Sequence, residues 1–128
     1  MTQSTVAVLG ASTDRRKYGN KAVRAYRQLG YDVYPVNPRA GEIEGLTAYA
    51  TLDEVPADHL DRILVYLPPT VGMELLDDIR RKGADEVWFN PGSESPELIA
   101  RATEIGLDVI QACSIVNVGM LPDELPDD

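Results

Sequence analysis

The 128 residues hold one thiol, Cys113, and one imidazole, His59. A single thiol excludes an internal disulfide and any multi-cysteine zinc or iron–sulfur site, and the lack of a second imidazole excludes a histidine cluster. This inventory disfavours metal catalysis. Lysine is scarce as well: Lys17, Lys21 and Lys82 are the only three among 12 cations, which face 21 carboxylates for a formal charge of -9. Such a balance repels nucleic-acid phosphates and anionic membranes, so neither is expected as a partner. No apolar run approaches the roughly 18 residues of a membrane span. Met1-Thr2-Gln3-Ser4 passes directly into the strand-like Thr5-Val6-Ala7-Val8-Leu9, and a cytoplasmic protein is the expectation.

What is present is the composition of one globular domain, with 44% apolar and 26% charged residues. Strand and helix periods alternate. The run Val6-Ala7-Val8-Leu9 stops at Gly10, and residues 20–29 then carry apolar side chains at Ala22, Val23, Tyr26 and Leu29, a helical spacing. Gly30 closes that helix, and Tyr31-Asp32-Val33-Tyr34-Pro35-Val36 reads as the second strand. The same phrase of glycine, short turn, Asp and strand recurs at 83–89, after a helix over 70–82, and at 106–110, after a helix over 96–105. Arg62-Ile63-Leu64-Val65-Tyr66-Leu67 is a further strand stopped by Pro68-Pro69, and Leu46-Thr47-Ala48-Tyr49 is a short candidate sixth. Thr51 and Glu54 have the spacing of a capping box, and Ser95-Pro96-Glu97 that of a capped helix start. Residues 1–119 form the expected domain, and 120–128, with two prolines and four acids, read as an exposed acidic tail.

Five to six strands alternating with helices predict an α/β, Rossmann-like doubly wound sheet, mainly parallel, with helices on both faces. Ligands bind such sheets outside the carboxyl ends of the strands. The candidate site is therefore the set of loops 10–19, 37–39, 68–70, 90–93 and 112–114. The first of them places Gly10, Ala11, Ser12, Thr13, Arg15, Lys17, Tyr18 and Gly19 between a strand and a helix start, the parts of a diphosphate cradle. Its glycine spacing is not G-x-G-x-x-G, and the second strand ends in Asn37-Pro38-Arg39 where an NAD site wants an acid for the ribose. A cation there suits a ribose that carries a phosphate, as in NADP or coenzyme A.

The stretches Val8-Leu9-Gly10-Ala11-Ser12, Tyr18-Gly19, Gly30-Tyr31-Asp32-Val33-Tyr34-Pro35-Val36-Asn37-Pro38, Leu67-Pro68-Pro69 and Ala112-Cys113 resemble the small single-domain CoA-binding proteins. Those proteins are related to the N-terminal domain of the succinyl-CoA synthetase α subunit. The likeness runs in order from Thr5 to Val116. It implies CoA or acyl-CoA lying across the carboxyl edge: the diphosphate at Ala11, Ser12 and Thr13, the 3′-phosphate near Arg39, the adenine against Leu67, Pro68 and Pro69. The pantetheine arm would run toward Asn90, Pro91 and Gly92. In the synthetase an active histidine comes from a later domain; His59, on the amino side of its strand, does not match it.

Chemistry is thinly provided. Cys113 ends the last strand and reads either as a small apolar residue or as a thiol near the pantetheine end. Asp77 and Asp78 are adjacent on a helix and point apart, Glu94 lies near Gly92 without a partner, and Trp88 and Phe89 read as core. These features favour a non-catalytic CoA or acyl-CoA module, alone or with a partner protein or second copy. The alternatives are a small NADP-dependent oxidoreductase and the nucleotide-binding subunit of a two-chain acyl-CoA ligase.

Overall fold

The computed structural model describes residues 4–128; Met1, Thr2 and Gln3, with which the expected domain begins, lie outside the described residues. The elements in chain order are β1 (Thr5–Leu9), α1 (Tyr18–Gln28), β2 (Asp32–Val36), β3 (Glu42–Ile43), β4 (Leu46–Thr47), β5 (Leu60–Val65), α2 (Pro69–Lys82), β6 (Ala84–Phe89), α3 (Pro96–Glu104), β7 (Val109–Gln111) and α4 (Ser114–Asn117). Single 3-10 turns occupy Leu52–Glu54 and Pro122–Glu124. Among the described residues, no helix is long and apolar enough to cross a membrane.

Unbroken aliphatic runs make strands that are covered on both faces. Val6, Ala7 and Val8 of β1 and Ile63, Leu64 and Val65 of β5 are wholly buried. The five long strands form one parallel sheet in the order β2-β1-β5-β6-β7. Alternate residues of each strand enter opposite layers. Val6, Val8, Leu64 and Trp88 pack under α1 and α4, while Ala7, Leu9, Ile63, Val65 and Phe89 pack under α2 and α3. Trp88 and Phe89 are core, as their apolar setting predicts.

Capping chemistry places the helix ends. Ser95 Oγ accepts the N–H of Leu98, and Pro96 begins α3. Arg80, Arg81 and Lys82 complement the negative end of α2 before Gly83 stops it. At Thr51 the capping box that the spacing predicts is seen in Glu54 Oε2, which accepts the N–H groups of Ala50 and Thr51, and the short helix that follows is a single 3-10 turn.

Two expectations need correction. The candidate sixth strand does not join the sheet: Glu44 and Gly45 take φ of 51° and 79°, and the chain folds back at once into the antiparallel β3-β4 hairpin. Only Tyr49 returns to the sheet, as an isolated parallel bridge to Val36. The expected exposed tail is anchored. Its carboxylates face water, but Leu125 is 1% exposed and joins the core over α1. Lys21, buried on α1, donates to the Pro122 carbonyl at 3.3 Å and pairs with Asp127 at 2.8 Å.

Candidate functional site

From β1 the chain crosses to one side of the sheet and from β5 to the other, so no crossover covers the edge where β1 and β5 end side by side. A cleft of about 940 Å³ opens there, large for a small-molecule site. Gly10 turns the chain out of β1 at φ 85°, where a Cβ would stand 2.4 Å from the Tyr66 carbonyl oxygen. The first turn of α1 presses on the same point, and a Cβ on Gly19 would meet the Gly10 carbonyl oxygen at 2.2 Å. Glycine at both positions lets the first loop lie flat between the ends of β1 and β5.

The loop is held from beneath. Asn37 Nδ2 donates to the Ala11 carbonyl and Asn20 Nδ2 to that of Ser12, each at 2.8 Å, while Ser12 Oγ accepts the N–H of Asp14. No side chain caps α1. Among the described residues, no acceptor takes the N–H groups of Ala11, Ser12, Thr13, Tyr18 or Gly19. Unmet donors at the positive end of an 11-residue helix make a place for an anion.

The three consecutive cations of the loop part company. Arg16 grips Asp14 through Nε and Nη2 at 3.0 and 2.9 Å, which lowers the Asp14 carboxyl to about 2 and matches its charge. Arg15 turns the other way, with Nη1 3.9 Å from Glu44 and its carbonyl accepting from Arg24. Lys17 stays on the cleft wall, and Arg39 faces it from the end of β2. Neither has an ion-pair partner among the described residues. Asp78, the carboxylate on the wall, is held by Arg81 at 2.6 Å.

Of the residues singled out from sequence, Gly10, Ala11, Ser12, Lys17, Tyr18, Gly19, Asn37, Pro38, Arg39, Leu67, Pro68, Pro69 and Gly92 come together on the cleft. Thr13, Arg15, Asn90 and Cys113 do not line it. Asn90 is 1% exposed and its amide is spent inside the protein: Nδ2 donates to the Val65 carbonyl, and Oδ1 accepts the Ser114 N–H and hydroxyl at 2.8 and 2.9 Å. It clips β6 to α4 beneath the floor. Cys113 is half-buried against the core under α4. His59 is exposed at the opposite edge of the sheet, 2.8 Å from Asp85.

Other wall residues escaped the sequence reading. Val71, Leu75 and Asp78 lie along one side of α2 at helical spacing, beside the buried stripe of Gly72, Leu76 and Ile79. The period was readable; which stripe met the sheet was not. Thr51 and Leu52 arrive through the unforeseen hairpin. Tyr66 forms part of the floor, its hydroxyl 2.8 Å from Ser114 Oγ and its pKa pushed up by burial.

Comparison with known proteins places the fold. The α subunit of ADP-forming acetate–CoA ligase II from Pyrococcus furiosus is 32% identical over 82% of this chain and 25% of its own. A conserved hypothetical protein from the same organism superposes with a TM-score of 0.80 at 33% identity, covering 91% of this chain and 99% of its own. The dinucleotide-forming acetyl-coenzyme A synthetase 1 of Ca. Korarchaeum cryptofilum, in complex with phosphate and ADP, gives 0.72 at 31% identity over 84% of this chain and 25% of that one. This chain spans at most about a quarter of the length of the curated relatives it matches. The pattern that defines the CoA binding domain covers residues 4–119, which takes in the whole sheet and every residue lining the cleft described above, and the chain belongs to that family.

Proposed function

We propose that this protein holds CoA, or an acyl-CoA, across the carboxyl edge of its sheet and carries out no chemistry on it alone. The observation that carries this reading is the uncapped start of α1 beneath a loop with unmet N–H donors, in a cleft whose unpaired cations are Lys17 and Arg39. Ala11, Ser12 and the first turn of α1 supply donors for a diphosphate, with Lys17 as a nearby counter-charge. Arg39, at the far side of the same wall, suits a ribose phosphate. Leu67, Pro68, Pro69 and Val71 offer an apolar surface for a base. Bound CoA supplies a thiol that carries acyl groups as thioesters.

The non-catalytic reading draws on the state of the polar groups in the wall. The Asp78 carboxylate is occupied by Arg81, and burial keeps the Tyr66 hydroxyl protonated, so the wall presents neither as a free general base. A second reading has an observation of its own: the curated relatives are several times longer and one is an α subunit, which suits a nucleotide-binding chain that works beside a separate ligase chain.

Calorimetric titration with CoA, dephospho-CoA, NADP and NAD at fixed salt tests the proposal. The expected result is micromolar or tighter binding of CoA and at least about tenfold weaker binding of both nicotinamide nucleotides. Preference for NADP would return the protein to the oxidoreductases, and no binding by any of the four would overturn the CoA reading.

A further inference from the structure

The cleft does not end at Gly92. A second hollow of about 260 Å³ lies at the carboxyl ends of β6 and β7, lined by Pro91, Glu94, Gln111 and Ala112, and Pro91 lines the main cleft as well. The bridge between them is open: Gly92, at φ 94°, has nothing within 4 Å of where a Cβ would stand. Charge is divided along this path. Lys17, Arg39 and Asp78, the last paired with Arg81, line the main cleft, whereas Glu94 is the one charged residue lining the hollow. The Glu94 carboxylate is also attached to the bridge, since Oε1 accepts the Gly92 N–H at 3.4 Å.

With the phosphates at the first loop and Arg39, the resemblance to the CoA-binding proteins implies a pantetheine arm that runs over Pro91 and Gly92, away from the cations. We propose that the hollow of Pro91, Glu94, Gln111 and Ala112 receives the acyl end of an acyl-CoA, and that Glu94 selects short uncharged acyl groups by excluding those that end in a carboxylate. The assignment rests on the CoA reading given above. The hollow is shallow and open, with Pro91, Gln111 and Ala112 exposed, and at about 30 Å³ per water its volume is that of roughly nine waters, room for an acyl group of a few carbons to lie against it. A terminal carboxylate placed there meets the Glu94 charge with no cation in the lining to offset it. Like charges a few ångströms apart repel, and because Glu94 is only half-buried the effect is moderate and weakened by salt.

The test is the affinity of CoA, acetyl-CoA and succinyl-CoA for the wild type, Glu94→Gln and Glu94→Lys at low ionic strength. Gln keeps an acceptor for the Gly92 N–H, so the bridge is preserved while the charge is lost. The wild type is expected to bind acetyl-CoA within about twofold of CoA and succinyl-CoA about tenfold more weakly; the gap closes in Glu94→Gln and reverses in Glu94→Lys. Equal wild-type affinity for the two thioesters, or an unchanged gap in both variants, overturns the role of Glu94. A uniform loss for all three ligands with the ratio unchanged overturns it too. Failure of the wild type to bind CoA itself overturns the parent reading, and the two failures are thus distinguishable.

Discussion

Arg39 and Asp14 are both charged residues of the cleft loops, and the structure separates what each one does. Arg39 lies on the wall with no ion-pair partner among the described residues, and its backbone N–H donates to Asn37 Oδ1 at 2.8 Å, which fixes the turn but leaves the guanidinium free. Arg39→Ala is expected to weaken CoA about tenfold while changing dephospho-CoA by less than about twofold, since one charge-assisted contact is worth about 1.5–3 kcal/mol. Calorimetry with both ligands reads the difference, and equal losses would remove Arg39 from the phosphate. Asp14 serves the loop itself. Its carboxyl falls from the ordinary 3.8 to about 2, chiefly through the Arg16 side-chain hydrogen bonds. A lowered acid pKa contributes stability that is complete above the unfolded value and is lost as pH falls through the folded one. The stability gap between wild type and Asp14→Asn is therefore constant above about pH 5 and shrinks between about pH 4 and pH 2, which urea unfolding across that range measures.

At the scale of elements, the contact between the first loop and α1 is the tightest joint in the site. A methyl on Gly19 would need the Gly10 carbonyl to move, because the two would be 2.2 Å apart. Gly19→Ala is expected to cost about 1–3 kcal/mol despite alanine's better helix propensity, and to lower CoA affinity with it. Gly41→Ala, where nothing lies within 4 Å, is the control that leaves both unchanged. A thermal melt and a CoA titration of the two variants decide the matter. The joint also explains how far the sequence could be read. Runs such as Val6-Ala7-Val8-Leu9 and stops such as Gly30 and Gly83 carry their own local signal, so β1, β2, α2 and β6 were legible to within a residue or two. The loops at the carboxyl edge were legible for the same reason, because each follows a strand. The fates of Arg15 and Asn90 depend instead on partners 29 and 24 residues away, namely Glu44 and Ser114, and side-chain direction is set by packing that no local pattern encodes. The β3-β4 hairpin was missed because it turns on Glu44, a residue that rarely adopts positive φ.

The whole molecule depends on a segment that composition alone would discard. The family pattern ends at residue 119, yet Leu125 is buried and Lys21 is closed over by Pro122 and Asp127. Removal of residues 121–128 is expected to cost about 2 kcal/mol, mostly the burial of one leucine, and urea unfolding of the truncated chain checks it. An unchanged midpoint would make the contact incidental.

Trp88 has a use beyond packing. It is the sole tryptophan of the chain, 4% exposed in β6, with the Arg62 guanidinium 4.9 Å from its ring. Arg62 donates to the Tyr26 hydroxyl, Tyr26 donates to the Ser114 carbonyl, and the Ser114 hydroxyl meets that of Tyr66 in the floor of the cleft. The molecule thus contains its own optical gauge. One indole, shielded from water in an interior strand of the sheet and connected through Arg62 to the floor of the cleft, gives an emission whose red shift follows the opening of that strand's core and whose intensity follows the cation above the ring, with no label attached.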